Sequence, residues 1–359
     1  MNRSNNQTQS NENEENTLKI VNYTQNSRDS EWDEFILRHS VNAMDLSGWR
    51  HTVYNTYGIK SHFLAAVDTS EIVGALALYE IKHPLFGHYL LTSVFGTEGG
   101  LITTDDKVRD YLVHEAKRLA DQLGVSYCVI RTRKQELNGF EEDDRYVTAI
   151  INVEDGEQAF FEQSIRHQTR KHIRKSLKQN FEVKVGPQYV DDFHAVLHMH
   201  MRDLGSPVHS LSFYKSAIKH LSSHVNFMVV YDGDAPIASS MFFIINDVLV
   251  SVQACSLRSY NRKCPNYLLY WSMIQLACKK ELKRVDIGRS AVDSNTMAFK
   301  RNWNCEFFPL SYNYYLKKGE SIPFVHPTNP KYQMLINIWK RLPVQITKVI
   351  GPQILKGLG

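Results

Sequence analysis

The stretch VDIGRSAVDSNTMAFKRNWNCEFFPLSYNYYL, Val285–Leu316, contains the patterns of a strand, a loop, a helix and a second strand, and these patterns recur along the chain. Its pattern predicts a buried strand, Val285–Gly288, followed by a polar loop that opens with Arg289 and Ser290. A short helix and then an aromatic strand, Phe307–Leu316, come next. Strands that alternate with helices in this way predict an α/β fold.

The short helix of this stretch, Ala298–Trp303, would place Phe299 and Trp303 on one face, since residues four apart are neighbours on a helix. Lys300 lies beside them, where its ammonium can be directed at a cleft. From chemistry alone, however, the stronger interpretation of Lys300 and Arg301 is that they are solvated surface charges.

The same order of elements occurs twice in the chain, as hairpin, strand, loop, helix and strand. The segment FLAAVD, Phe63–Asp68, matches FMVVYD, Phe227–Asp232, in spacing and residue type. The long helix is predicted at Asp106–Gln122 in the first half and at Tyr267–Glu281 in the second. An offset of about 160 residues indicates a duplicated domain, because solenoid repeats have periods of about 20–50 residues.

Length and composition fit a globular protein of two domains. The chain has 359 residues, a net charge of +4 and 43% hydrophobic residues, which are ordinary values for folded domains. Its five cysteines form no C-x-x-C pair, which favours a reducing compartment. The polar tract 1–17 has no apolar run, so it predicts a disordered tail rather than a signal peptide.

A resemblance to a known family comes from several separated motifs. The run GRS…SNT-(Met)-AFKRNW resembles the GRS…SGT-(aromatic)-RFK-x-x-WG signature of Fem-type acyl- and aminoacyltransferases, and it is most similar to the FemAB-related subgroup associated with PEP-CTERM/exosortase loci. Asn295 and Asn304 stand where that pattern usually has Gly, and Asn is the next most tolerant residue for positive φ. The further matches are TRKHIRKS (Thr169–Ser176), MRDLGSPV (Met201–Val208), YNRKCPNYLLYW (Tyr260–Trp271) and NPKY…WKRLP (Asn329–Pro343).

The resemblance implies two tandem acetyltransferase-like (GNAT) domains with mixed, mostly antiparallel sheets. With the repeat, it divides the chain into a tail at 1–17, a first domain at 18–155, a basic linker helix at 156–182, a second domain at 183–325 and a basic amphipathic C-terminal segment at 326–359.

Two regions are candidates for binding phosphate. The linker sequence RHQTRKHIRKSLK contains no acidic residue, and its cations Arg170, Lys171 and Arg174 would suit a tRNA end, a pyrophosphate or a membrane surface. A solvated linker helix would have the same composition. The loop Arg258–Asn266 stands where acetyltransferase folds cradle coenzyme A, but Pro265 has no N–H to offer, so Asn266 is the stronger binding candidate.

The resemblance also implies roles for residues of the opening stretch. Lys300 takes the position of the lysine that stabilises the oxyanion in Fem-type enzymes. Arg289, Ser290 and Thr296 would order the loop and contact the donor, and Phe299 and Trp303 are further binding candidates. A group must accept the proton of the attacking amine. The candidates are Asp203 and Tyr260, while for Asp286, inside the predicted strand, a structural role is an equal alternative.

Two features remain open from the sequence. His194, His198 and His200 have helical spacing, but no third ligand completes a familiar metal pattern, so we expect exposed helical histidines and no metal site. The segment Lys331–Gly359 has no acidic residue and carries an apolar stripe, which predicts either contact with an anionic membrane or packing across the two domains.

These expectations together predict an N-acyl or aminoacyl transferase acting on a cell-envelope, peptidoglycan or exopolysaccharide precursor. Its donor substrate would be an aminoacyl-tRNA or an acyl-CoA, and its acceptor an amine that is free or lipid-linked. We expect a cytoplasmic protein, with peripheral contact at the inner membrane face. The alternatives are an acyl-CoA-dependent N-acetyltransferase and a non-catalytic RNA- or lipid-binding protein on a degenerate transferase scaffold.

Overall fold

A computed structural model of the chain describes residues 18–24, 28–103, 105–323 and 330–359. The predicted disordered tail 1–17 lies outside the described residues, as does Asn329 of the C-terminal motif.

Thirteen strands join in one mixed sheet within the described residues. Most neighbouring strands are antiparallel, while the pairs β4–β6 and β11–β12 are parallel. In chain order the strands are β1 Lys19–Asn22, β2 Lys60–Asp68, β3 Glu71–His83, β4 Gly87–Thr92, β5 Leu101–Thr103, β6 Tyr127–Arg133, β7 Glu141–Asn152, β8 Glu182–Val185, β9 Val225–Asp232, β10 Ala235–Ile245, β11 Val248–Ser256, β12 Arg284–Ala291 and β13 Glu306–Leu316.

Helices cover the two faces of this sheet. The longest, α3, ends at Gly124 in the left-handed conformation that a helix C-cap favours, as its sequence predicts. In chain order the helices are α1 Asp29–His39, α2 Ser47–Tyr57, α3 Asp106–Leu123, α4 Gly156–Ala159, α5 His167–Leu177, α6 Val190–Leu204, α7 Leu211–His220, α8 Pro265–Lys279, α9 Asn295–Arg301, α10 Pro330–Trp339 and α11 Val344–Leu355.

The predicted repeat is present as two similar series of elements. The first runs β1, α1, α2, β2, β3, β4, α3, β6, β7, and the second runs β8, α6, α7, β9, β10, β11, α8, β12, β13. Each half carries two helices before its hairpin and one long helix after the strand that follows the hairpin. The predicted fold class, two acetyltransferase-like units with mostly antiparallel strands, is confirmed.

The last strand of each half lies in the sheet of the other half. The strand order is β1-β2-β3-β4-β6-β13-β7-β12-β11-β10-β9-β8. β13 therefore pairs with β6 of the first half, and β7 pairs with β12 of the second half. This exchange joins two half-sheets into one continuous sheet.

The halves also share one hydrophobic core. Trp49 of α2 packs edge-on against Phe213 of α7 and Phe243 of β10. At Gly48 an added Cβ would lie 2.3 Å from the carbonyl oxygen of His220. The two helices are therefore in close backbone contact that only glycine permits.

The structure corrects several local predictions. β12 continues to Ala291, so Arg289 and Ser290 lie in the strand and not in a loop. The short helix α9 begins and ends earlier than expected, and Trp303 follows it. The predicted linker helix is interrupted, because a π-helical turn at Phe160–Ser164 precedes α5.

Candidate functional site

A large cavity lies between the two halves, over the middle of the sheet. This large cleft has a volume of about 620 Å³ and receives residues from both halves. Three arginines line it, Arg131 from β6, Arg145 from β7 and Arg289 from β12, together with several tyrosines. Guanidinium groups recognise carboxylates and phosphates by paired hydrogen bonds, so the cleft suits a ligand with a negative group.

The tyrosines of the large cleft hold its arginines in place. Arg289 Nη1 donates to the Tyr312 hydroxyl at 2.7 Å, and its guanidinium lies 4.8 Å from the centre of the Tyr146 ring. Tyr312 in turn donates to the carbonyl of Thr97 at 2.8 Å. Because these contacts fix Arg289 while leaving it exposed to the cleft, its charge is oriented before any ligand binds.

A second cavity of about 240 Å³ adjoins the large cleft. Both are lined by Phe95, Gly96 and Arg289. Two carboxylates line the second cavity, Glu98 from the first half and Asp286 from the second, and we call it the acidic pocket.

Asp286 lies where the two parallel strands β11 and β12 separate. The β11–β12 ladder ends at the pair Val250 and Asp286. A bulge in the pairing of β12 with β7 follows, with Gly288 at φ 80°. Bulges of this kind redirect side chains near functional sites, and here Asp286 and Arg289 both line the acidic pocket.

The Asp286 carboxylate is buried and holds two hydrogen bonds on one oxygen. Its Oδ1 accepts from Thr148 Oγ1 at 2.9 Å and from the N–H of Gly288 at 2.7 Å. Burial raises the pKa of Asp286, and these two donors oppose that rise. A carboxyl with a raised pKa is a stronger base when ionised, which is what proton abstraction from an amine requires.

Glu98 is neutralised by a neighbouring arginine. Arg133 Nε lies 3.1 Å from both carboxylate oxygens of Glu98, and Arg133 Nη2 is 3.9 Å from Asp286 Oδ2. Burial raises the pKa of Glu98, while the hydrogen bonds from Arg133 lower it. The guanidinium thus links the two carboxylates, and Asp286 has the weaker contact with it.

Lys300 is buried behind β12. Its Nζ donates to the carbonyl oxygens of Gly288 at 2.6 Å and Arg289 at 3.0 Å. Burial lowers the pKa of Lys300 to about 8. The side chain lines neither cavity, so the ammonium holds the backbone of the bulge and does not project into the site.

Among the predicted binding residues of the opening stretch, Arg289 alone lines the large cleft and the acidic pocket. Ser290 is buried, and its hydroxyl has no hydrogen-bond partner. Thr296 is exposed on α9. Phe299 and Trp303 pack against Tyr267 and Tyr270 in the core of the second half, away from both cavities.

The other predicted residues of the second half are also separate from these cavities. Asp203 accepts a hydrogen bond from Arg202 Nε at 2.7 Å, on α6. Tyr260 packs against the core of the second half from a 3-10 turn. Asn266 lies in the first turn of α8, after Pro265, and its Oδ1 is buried without a hydrogen-bond partner.

The cations of the basic linker helix fall into two groups, those with a structural role and those that are exposed. Arg170 Nη1 donates to the carbonyls of Phe161 at 3.3 Å and Ile165 at 2.9 Å, so it caps the preceding π-helical turn. Lys171 and Arg174 are exposed, and the Arg174 guanidinium lies 5.4 Å from the ring centre of Phe161. Lys171 and Arg174 thus remain available for contact with phosphate.

The prediction of exposed histidines on α6 is wrong for two of the three. His194 Nε2 donates to the carbonyl of His209 at 3.0 Å, and His198 Nε2 is bonded to Thr347 Oγ1 at 2.9 Å. Both rings are buried, while His200 is partly buried. The part of the chain that the structure describes contains no cluster of three His, Cys, Asp or Glu side chains suited to a metal ion.

Sequence reasoning missed most of the cavity lining. No sequence pattern singles out Glu98, Arg131 or Arg133, and the sequence leaves Asp286 open between a structural and a catalytic role. The sequence signal was weak: Glu98 precedes a pair of glycines, and Asp286 stands in DIGR, where a glycine directly follows a buried strand.

Known families and structures are consistent with this architecture. Residues 163–301 match the family described as Acetyltransferase (GNAT) domain. The match runs from the π-helical turn before α5 to the end of α9 and so contains both Asp286 and Lys300. No curated protein sequence matches the chain.

Several solved structures share the fold. FemX has 13% sequence identity, covers 89% of this chain and 100% of its own, and superposes with a TM-score of 0.64. The C-terminal domain of a putative lysylphosphatidylglycerol synthetase from Agrobacterium fabrum has 12% identity, coverages of 80% and 92%, and a TM-score of 0.57. A tandem GNAT protein from the clavulanic acid biosynthesis pathway has 10% identity, coverages of 83% and 97%, and a TM-score of 0.52. At these identities the shared property is the fold.

Proposed function

We propose that the protein transfers an acyl or aminoacyl group to an amine acceptor, with the chemistry in the acidic pocket and the larger substrate in the large cleft. The observation that carries this proposal is Asp286, a buried carboxylate with a raised pKa at the end of the β11–β12 ladder. The match to an acetyltransferase domain supports the same reaction class.

In this mechanism Asp286 acts as the general base. The amine nitrogen attacks the carbonyl carbon of an ester or thioester, and Asp286 takes the proton that the nitrogen loses. The new C–N bond forms as the C–O or C–S bond breaks, and the proton passes on to the leaving oxygen or sulfur. Glu98, held by Arg133, orients the base and the amine.

The positive charge of Arg289 would bind a negative group of the donor. Its guanidinium is fixed by Tyr312 and lies where the large cleft meets the acidic pocket. It can contact a carboxylate or phosphate of the donor, or the oxyanion that forms during attack. Lys300 then acts as a positioning residue, which holds the carbonyls of the β12 bulge.

The donor is an aminoacyl-tRNA or another activated acyl compound, and the acceptor is an amine on a cell-envelope or exopolysaccharide precursor, free or lipid-linked. Exposed Lys171 and Arg174 on α5 are the proposed contacts for donor phosphate. We also propose that the protein belongs to the FemAB-related subgroup associated with PEP-CTERM/exosortase loci.

A donor and acceptor survey tests the proposal. Purified protein is incubated with charged tRNAs and acyl-CoAs against amine acceptors that include lipid-linked precursors, and acceptor mass is read by mass spectrometry. We expect a mass increase with the wild type and at least about a hundredfold slower increase with Asp286→Asn. Binding of a donor and acceptor without any transferred product would instead indicate a non-catalytic binding protein.

An acyl-CoA-dependent N-acetyltransferase is the second candidate, because the N-terminus of α8 has no side-chain cap. Burial raises the pKa of the Cys264 thiol at this helix start, and Lys175 of α5 is close enough to oppose that rise. A helix N-terminus with a nearby cation favours phosphate. Saturable thermal stabilisation by acetyl-CoA, together with acetyl transfer, would select this donor.

A further inference from the structure

The outer faces of α10 and α11 are apolar and exposed. On α10, Met334 is 67% exposed, Leu335 57% and Ile338 51%. On α11, Val349 is 72% exposed and Ile346 44%. We call these five residues the apolar face. Side chains of this kind are normally buried, so five exposed aliphatic side chains on two consecutive helices indicate an interaction surface.

The opposite faces of the same helices anchor them to the protein. Trp339 and Thr347 are buried, and Thr347 hydrogen-bonds to His198 of α6. Tyr89 of β4 donates to the carbonyl of Gly357 at 2.8 Å. His83 of β3 also bonds to the carbonyl of Gln353 in α11, at 3.2 Å. Because α11 contacts both halves, the apolar face is carried on a fixed support.

Exposed cations accompany the apolar face, and the part of the sequence that forms it contains no acidic residue. Lys340, Arg341 and Lys348 are exposed at the ends and sides of the two helices. The sequence contains no Asp or Glu after Glu320. The surface therefore combines exposed aliphatic side chains with exposed positive charge.

We propose that the apolar face and its cations bind the surface of an anionic phospholipid membrane. Amphipathic helices of this composition lie in the membrane interface, with aliphatic side chains below the headgroups and lysines among the phosphates. A second copy of the chain is a poorer occupant. Two copies related by a two-fold axis would bring the same cations toward each other.

The proposed docking surface adjoins the large cleft. Leu85, which is 75% exposed in the β3–β4 turn, lines the cleft, as do Leu355 of α11 and Leu358. Docking would place these three leucines, at the edge of the large cleft, against the lipid surface. An amphiphilic acceptor could then enter the cleft from the membrane. Only this consequence rests on the proposed transferase function; the docking itself does not.

Vesicle flotation of the full chain tests the proposal. We expect binding to vesicles of phosphatidylglycerol and phosphatidylcholine, no binding to phosphatidylcholine alone, and release at high salt. The double variant Met334→Glu/Val349→Glu should bind at least about tenfold more weakly. Lys340→Gln/Lys348→Gln should weaken binding about fivefold per cation removed.

Leu177→Glu is the matched control. Leu177 is 53% exposed and lies on α5 among other cations, but away from the apolar face. We expect it to bind vesicles as the wild type does, and all variants to keep the wild-type unfolding temperature because the changed side chains are exposed.

Three outcomes would overturn the proposal: no vesicle binding by the wild type, equal binding by Met334→Glu/Val349→Glu, or an equal loss with Leu177→Glu. Light scattering adds a fourth. A dimer that Met334→Glu/Val349→Glu dissociates would assign the apolar face to a second copy.

Discussion

At the scale of single residues, Asp286 and Glu98 share a cavity but differ in their partners. Glu98 is paired with Arg133, which stabilises its ionised form. Asp286 receives its hydrogen bonds on Oδ1, while within the described residues Oδ2 forms a longer ion-pair contact with Arg133, at 3.9 Å. Asp286 is therefore the better placed of the two to accept a proton.

We expect Asp286→Asn to lower turnover by about 10²–10⁴-fold, the usual contribution of a general base. The amide keeps an oxygen for Thr148 and Gly288, so the fold should be retained. In the wild type, activity should fall as the pH drops through the raised pKa of Asp286, because the protonated acid cannot accept a proton. Initial rates from pH 4 to 9, with unfolding temperatures, give both quantities.

Glu98→Gln is the control for this assignment. Since Glu98 orients the base but does not take the proton, its amide variant should lose less than about tenfold in turnover and keep the acidic limb of the pH profile. A loss equal to that of Asp286→Asn would mean that the two carboxylates act as one base.

Lys300 allows a prediction that separates two roles. If its ammonium holds the bulge carbonyls, Lys300→Met leaves two buried acceptors unpaired and lowers the free energy of unfolding by about 1–3 kcal/mol, with a fall in turnover. Lys300→Arg, which keeps donors, should recover part of both. A large loss of turnover with unchanged denaturant unfolding would instead assign Lys300 to the oxyanion.

At the scale of elements, the bulge of β12 is the feature that makes the site. Gly288 has φ 80°, and an added Cβ would lie 3.1 Å from the carbonyl oxygen of Ser251. Both conditions oppose a side chain at this position.

We expect Gly288→Ala to destabilise the protein by about 1–3 kcal/mol and to reduce turnover, because it displaces Asp286 and Arg289. Gly233→Ala is the matched control, since Gly233 has φ 60° in a turn where an added Cβ meets nothing within 4 Å. It should show backbone strain alone, with turnover unchanged. Equal turnover in the two variants would contradict a role for the bulge in the site.

Most elements could be predicted from the sequence, because periodicity and caps are local signals. The hairpins and the long helix α3, predicted at Asp106–Gln122, agree with the structure. The end of β12 could not be predicted. A glycine after a buried strand favours a turn, and only pairing with β7 shows that the strand continues through Gly288.

At the scale of the whole molecule, the site depends on contacts that no local pattern contains. Glu98 and Asp286 come from different halves and meet because the sheet is continuous across the exchanged strands. Lys300 was placed in the site by resemblance, while its observed partners are backbone carbonyls, which carry no sequence signature.

The contact between the halves should also be sensitive to acid. His209 is buried, its Nδ1 lies 2.6 Å from the Tyr57 hydroxyl of the first half, and burial lowers its pKa to about 3, with His194 as a smaller cause. Since an unfolded histidine has a pKa of about 6.5, the unfolded chain takes up a proton below that pH which the native chain does not. His209 therefore lowers stability progressively below pH about 6.5.

The variant His209→Asn isolates this effect, because its amide can still bond to Tyr57 but cannot be protonated. Carboxyls with raised pKa, such as Asp45 at about 7, act in the opposite direction and are common to both proteins. We expect the variant to gain stability relative to the wild type as the pH falls from 7 to 4.5 in denaturant titrations. A constant difference across that range would exclude His209 as an acid-sensitive contact.

The exchanged strands also bear on how the chain is made. On the ribosome, β7 emerges long before β12 and β13, the two strands on either side of it. Until residue 291 has left the exit tunnel, β7, a strand of 12 residues, has neither of its neighbours, and the sheet edge at β6 stays open until residue 316 follows. A stop codon before β13 would therefore leave two unfinished sheets rather than one intact domain and one damaged one, and translation of the last strand is the step that closes both.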